Sequence, residues 1–154
     1  MTAFYLDTSA LVKRYLIETG TAWLRTLLDP ATGNTAVISE VTLVEASAAL
    51  AARQRGGFIT LVERDSAVDL LLRHADTEYS LAPLARATIN TALNLTQRHR
   101  LRGYDAVQLA TALLIADAYR AAGLTAPTFV AADADLLAAA HDEGLSIENP
   151  NDHP

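Results

Sequence analysis

Cysteine is absent from the 154 residues, which excludes a disulfide framework and any thiolate-held structural zinc. Lysine occurs once, at Lys13, and the other eleven positive side chains are arginines. The formal net charge of -6 argues against a protein that coats nucleic acid through a broad basic face, because neutralising many phosphates takes clustered cations. Any nucleic-acid contact is therefore expected to be local. No uninterrupted apolar run approaches the length a bilayer requires, and Met1 to Asp7 lacks a basic segment followed by a long apolar stretch, so the expectation is a soluble, unexported, cytoplasmic chain with no membrane partner. Aromatic residues are scarce, at 6%. What is abundant is Ala and Leu, and the 51% hydrophobic content supports one substantial core, placed in a compact domain over 1–148 with a polar tail over 149–154.

Short apolar segments alternate with helical patterns. Ala3 to Leu6 reads as a strand ending at Asp7-Thr8-Ser9, whose oxygens suit a helix start, with a helix over Ala10 to Leu16 and a second over Thr21 to Leu28. Ala36 to Ile38 reads as a strand, after which Ser39 caps a long helix to about Arg53 that Gly56-Gly57 stops. Phe58 to Arg73 is expected to be helical and Tyr79 to Leu81 to be a strand. Pro83 is expected in the first turn of a helix to about His99, and Tyr104 to Ala122 to form an Ala/Leu-rich helix. Thr128 to Ala132, Asp135 to His141 and Leu145 to Ile147 complete a strand, helix, strand ending. This order predicts an α/β fold, a three-layer α/β/α sandwich around a central parallel sheet. Ligands of such sheets bind beyond the carboxyl ends of the strands, and Asp7 and Asp133 stand at two of those ends.

Two further acids are out of place or suggestively placed. Glu45 lies mid-helix with Val41, Ala48, Ala49 and Ala52 on its face, and a carboxylate on an apolar stripe must be neutralised, paired or bound to a cation. A buried salt bridge to an arginine is the competing account. Asp105 opens a long helix in which Gln108 and Thr111 are the polar residues of the apolar body, and the helix dipole alone explains many first-turn aspartates. Between Asp133 and Asp135, one can cap the last helix while the other points into the crevice; strand-end geometry favours Asp133 as the ligand and Asp135 as the cap or supporting residue. Carboxylates sharing a crevice in a chain almost without lysine call for a hard divalent cation, Mg²⁺ or Mn²⁺. The scattered His74, His99, His141 and His153 read as surface residues. Such an ion beside a phosphodiester can activate water and stabilise the leaving oxygen. Arg98, Arg100 and Arg102 are then candidate phosphate contacts, with Lys13 and Arg14 secondary, although a solvated helix end explains the arginine group as well.

Four segments together resemble the PIN-domain family, specifically the VapC toxins of bacterial and archaeal toxin–antitoxin pairs: Tyr5-Leu-Asp-Thr-Ser-Ala-Leu-Val-Lys-Arg-Tyr15, Ser39-Glu-Val-Thr-Leu-Val-Glu45, Tyr104-Asp-Ala-Val-Gln-Leu-Ala-Thr-Ala112 and Phe129-Val-Ala-Ala-Asp-Ala-Asp-Leu-Leu137. The resemblance spans nearly the whole chain. It implies Asp7, Glu45, Asp105 and Asp133 as the catalytic, metal-holding cluster, supported by a Thr8 or Ser9 hydroxyl. It also implies Mg²⁺ or Mn²⁺ dependence, cleavage of an RNA substrate, a homodimer, and inhibition by a cognate VapB-like antitoxin whose tail enters the active groove. The chain departs from the family at Ala131, where a Ser or Thr often stands two residues before the fourth acid; a modest effect on metal or water positioning is expected.

Other classes fit less well. A phosphorylation-controlled receiver domain needs a late lysine, whereas Lys13 is early, and an aspartate-nucleophile phosphatase needs a second acid two residues after the first, where this chain has Ser9. A catalytically silent PIN-like module that binds RNA or protein is the remaining alternative, and metal-dependent cleavage separates the two.

Overall fold

The computed structural model describes residues 1–154 throughout. Five strands, β1 (Ala3–Leu6), β2 (Thr35–Ser39), β3 (Tyr79–Ala82), β4 (Thr128–Val130) and β5 (Ile147–Glu148), form one sheet in the order β3-β2-β1-β4-β5. Every pairing is parallel. Seven helices connect and cover it: α1 (Thr8–Leu11), α2 (Thr21–Leu27), α3 (Glu40–Arg55), α4 (Leu61–Thr77), α5 (Arg86–Arg98), α6 (Gly103–Ala121) and α7 (Ala134–Asp142).

The strand alternation divides the interior into two cores. Tyr5, Val37 and Phe129 lie side by side in register and point to one face, where α5, α6 and α7 contribute Leu95, Leu109, Ala110 and Leu136. Leu6, Ile38 and Val130 point to the other, against Leu11, Leu24, Leu50 and Leu71 of α1 to α4. The three-layer α/β/α sandwich expected from the sequence is thus present, because a sheet buried on both faces demands apolar residues at both parities of each strand. No helix is long and apolar enough to cross a membrane.

Several element boundaries differ from the sequence reading. Helix α1 ends at Leu11, and Val12–Arg14 tighten into a 3₁₀ turn instead of continuing to Leu16. Pro83 does not open α5: the residue before a proline is held extended, so Ala82 stays in β3 and the helix waits until Arg86. Helix α4 starts at Leu61, after a reciprocal capping box between Thr60 and Glu63, and not at Phe58. Strand β4 stops at Val130, two residues before the expected end.

The C-terminal residues fold back on α2. Pro150–Asp152 form a 3₁₀ turn, the His153 ring stacks on Trp23 at 4.3 Å between centroids, and His153 Nε2 lies 2.7 Å from Glu148 Oε1. Gly20, at φ +86°, makes this approach feasible, since a Cβ there would lie 2.4 Å from the Pro150 carbonyl oxygen. Gly20→Ala is expected to cost at least about 2 kcal/mol, combining left-handed backbone strain with that clash. Urea denaturation checks this, and unchanged stability would mean that residues 150–153 do not pack there.

Candidate active site

The sheet order reverses direction of winding between β1 and β4, and in open parallel sheets the crevice at that switch, beyond the strand carboxyl ends, is where ligands bind. Asp7 follows β1 directly and is the N-cap of α1, while Asp133 lies three positions beyond the end of β4 and is the N-cap of α7. Glu45 reaches this end from α3 and Asp105 from the first turn of α6.

Three of the four carboxylates are anchored by side-chain or backbone donors, each differently. Asp7 is 5% exposed, and its Oδ2 accepts from the Ser9 hydroxyl (2.5 Å) and the Ser9 amide (3.0 Å), leaving Oδ1 without a protein donor. Ser9 Oγ in turn accepts from the Ala132 amide at 2.9 Å, which ties the β1 end to the β4 end. Glu45 Oε2 accepts from Thr8 Oγ1 (2.7 Å) and Gln108 Nε2 (2.6 Å), leaving Oε1 open. Asp133 Oδ1 accepts from the Leu136 amide at 3.1 Å, leaving Oδ2 open. None of the four, and not Asp135, forms an ion pair with Lys, Arg or His. The arginine salt bridge that competed for Glu45 is therefore absent. The Thr8 and Ser9 hydroxyls both support acids, each a different one.

The acids also act on one another through space. Burial pushes the Asp7 carboxyl up to about 6, against the Ser9 hydrogen bonds that favour its ionised form, and the charges of Glu45 and Asp105 add to the rise. Asp105 is raised too, first by burial and then by Asp133 and Glu45, with Arg102 opposing. No three acidic or histidine side chains converge at coordination spacing in this arrangement. They stand close enough to raise one another's proton affinity, and sharing one ion would require side-chain rotation. The donor set suits a hard divalent cation: open carboxylate oxygens without a counter-charge.

Beside these acids lies a crevice of about 590 Å³, lined by Arg100, Leu101, Arg102, Asp105, Asp133, Asp135 and Leu136. Asp135 thus faces the crevice, and the capping role expected of it belongs to Asp133, whose position just before the helix lets its oxygen reach the third amide. Arg100 and Arg102 line the same crevice without acid partners. Arg98 does not share it: its guanidinium is held by Glu143 at 2.7 Å. Lys13 and Arg14 are not among the residues that line this crevice, and both are already paired. Lys13 is 6% exposed and bound to Glu18 at 3.1 Å, and Arg14 is bound to Glu78 (2.6 Å) and the Tyr79 hydroxyl (2.7 Å). The histidines, apart from exposed His141, are likewise engaged: His74 with the Tyr15 hydroxyl, His99 with Glu143 and His153 with Glu148.

The buried link that the sequence reading did not use runs through Gln108. Its Oε1 accepts from the Tyr5 hydroxyl (2.7 Å), and its Nε2 donates to Glu45 and to Thr42 Oγ1 (2.9 Å). A lone amide in the apolar body of α6 was the available signal. Gln108→Leu is expected to cost about 2 kcal/mol, because it strips buried polar groups of partners without removing them. Chemical denaturation measures it; a neutral or stabilising result would mean that Gln108 does not orient Glu45.

A family model described as PIN domain matches residues 4–142. The chain belongs to the PIN domain family. Ala131, where the family resemblance led one to look for a hydroxyl, is fully buried in the α5–α7 core of this PIN domain. No curated protein matches it in sequence. Solved structures similar to it include PAE2754 from Pyrobaculum aerophilum (TM-score 0.64, 18% identity, covering 98% of this chain and 85% of that one). Two others are VapBC2 from Rickettsia felis, solved bound to a DNA fragment from their promoter (0.63, 16%, 96% and 98%), and FitAcB from Neisseria gonorrhoeae (0.58, 16%, 96% and 97%). At these identities the similarity is one of fold.

Proposed function

We propose that this PIN domain is a Mg²⁺- or Mn²⁺-dependent endoribonuclease and the toxin member of a toxin–antitoxin pair. The observation that carries the reading is the set of four acids from four separate segments, all near the switch point of the sheet and none in a salt bridge, with open oxygens on Asp7, Glu45 and Asp133. Asp7, Glu45, Asp105 and Asp133 would hold the ion, which when bound supplies an activated water and charge stabilisation for in-line phosphodiester hydrolysis. Ser9, Thr8 and Gln108 fix the acids that do the holding. Arg100 and Arg102, unpaired at the crevice, neutralise flanking phosphates, and Asp135 supports the cluster from its rim.

Incubation of the purified chain with RNA tests this reading. Cleavage in Mg²⁺ or Mn²⁺ that EDTA abolishes is expected; RNA binding without cleavage would favour the silent-module alternative, and EDTA-insensitive cleavage would remove the metal from the account.

An antitoxin partner is supported by the toxin–antitoxin names of two similar structures, VapBC2 and FitAcB, and by an exposed, largely apolar cleft of about 580 Å³ that includes Ile17, Phe58 and Val62. Exposed Leu61 and Leu72 on α4, outside that cleft, support a homodimer. The proposed site of action is the cytoplasm.

A further inference from the structure

Phe58 and Tyr104 are the only aromatic side chains left exposed. Phe58 lies beneath the Arg53 guanidinium, at 5.9 Å from its ring centre, and lines the apolar cleft with Ile17 and Val62, not the crevice lined by Asp105 and Asp133. Tyr104 is different: it is 63% exposed, its hydroxyl has no protein partner, and it immediately precedes Asp105 on α6. Gln108 lies four positions on, so the two share a helix face, and Gln108 points to Glu45 and Thr8. Tyr104 therefore stands at the solvent end of the face that leads down to the acids.

The connection leading into α6 is fixed on the other side. Arg98 and His99 are both tied to Glu143, and Leu101 packs against the α5–α7 core. This leaves Arg100 and Arg102 lining the crevice with Asp105, without acid partners. Two guanidiniums without a salt-bridge partner, an exposed ring and one of the acids, Asp105, fall within six residues, the ring just outside the crevice that the other three line. That set of chemistries matches the parts of a nucleotide: phosphate, base and reacting bond. Bases of single-stranded RNA are free to splay onto aromatic rings, whereas duplex bases are stacked internally.

Resting on the ribonuclease reading above, we propose that Tyr104 is a stacking platform for an unpaired RNA base adjoining the phosphate at the acidic crevice, and so a positioning residue that selects single strands. Stacking needs the ring and not the hydroxyl. Tyr104→Phe therefore preserves it and Tyr104→Ala removes it.

The test is a binding cycle by fluorescence anisotropy with Ca²⁺ in place of Mg²⁺, using a short single-stranded RNA and the same backbone made abasic. Tyr104→Ala is expected to weaken binding of the RNA about tenfold, the usual worth of one base–aromatic stack, and to leave abasic binding unchanged. Tyr104→Phe is expected to match the parent chain. In Mg²⁺, the Ala variant should raise KM by a similar factor with kcat nearly constant. Equal losses on RNA and abasic backbone, or no loss on either, would overturn the stacking role. If the cycle holds and no cleavage occurs, the hydrolytic reading falls and the stacking assignment stands; if cleavage occurs and the cycle is additive, only the stacking assignment falls.

Discussion

Asp7→Asn is expected to reduce RNA cleavage by at least about a thousandfold, as removal of a metal-holding carboxylate from a phosphodiester-cleaving centre does, while making the metal-free protein more stable. Asparagine keeps an oxygen that can accept both Ser9 bonds, so the turn between β1 and α1 survives. What it loses is the charge. A carboxyl moved by its surroundings from 3.8 to about 6 costs the folded state on the order of 3 kcal/mol at neutral pH, so the neutral amide should recover about 1 to 3 kcal/mol of it. Greater stability with lost activity is the signature of a site that is strained for function, and it separates this variant from one that misfolds. Cleavage assays alongside urea denaturation in EDTA measure both quantities. Unchanged cleavage would remove Asp7 from the reaction, and a large loss of stability would mean that its charge is compensated in a way the fold does not display.

The second large effect concerns pH. Asp7 binds its proton more tightly in the folded state than in the unfolded one, so its ionisation penalty is fully present above about pH 6 and is relieved as the pH falls from there towards 4. Asp105 shifts in the same direction. Glu143, held ionised by His99 and Arg98 against the effect of its own burial, works oppositely and loses its contribution as the pH falls. Total stability therefore mixes signs, and the informative quantity is the gain on adding a divalent ion. That gain requires ionised acids. At a hundred times its dissociation constant an ion adds about 2.7 kcal/mol, a rise in Tm of roughly 5 to 10 °C for a chain of this size. The rise is expected in full at pH 8 and to be largely lost at pH 5. An equal rise at both values would place the ion on groups other than these carboxylates.

The sandwich was readable because its strands are short apolar runs at both parities and its helix ends carry local signals, Ser39 before α3 and Gly56-Gly57 after it. The acids were readable for a related reason: Glu45 interrupts an apolar stripe and Asp7 terminates a buried strand, and both anomalies are local. The pairing of the basic residues was less legible. Lys13 and Arg14 follow the Asp7 motif and read as secondary candidates for phosphate contact, but Arg14 finds Glu78 and Tyr79, 64 and 65 positions away, and Lys13 turns inward to Glu18, a near neighbour that no helical period singles out. Arg98 is neutralised by Glu143, 45 positions on. Gln108 was visible as a lone amide, while its partners Tyr5, Thr42 and Glu45 lie 103, 66 and 63 positions away, beyond any helical or strand period. Asp133 shows a different limit, since one oxygen caps α7 and the other remains open, two roles that spacing treats as exclusive.

Electron paramagnetic resonance of free Mn²⁺, titrated into the chain and into Asp105→Asn at pH 8, addresses the central electrostatic claim without depending on which RNA is cut. The parent chain should take up Mn²⁺ at the site and the variant should bind it at least about tenfold more weakly, as loss of one charged oxygen ligand implies. Equal uptake by both proteins, or none by the parent chain, would contradict the claim that these acids hold a divalent ion.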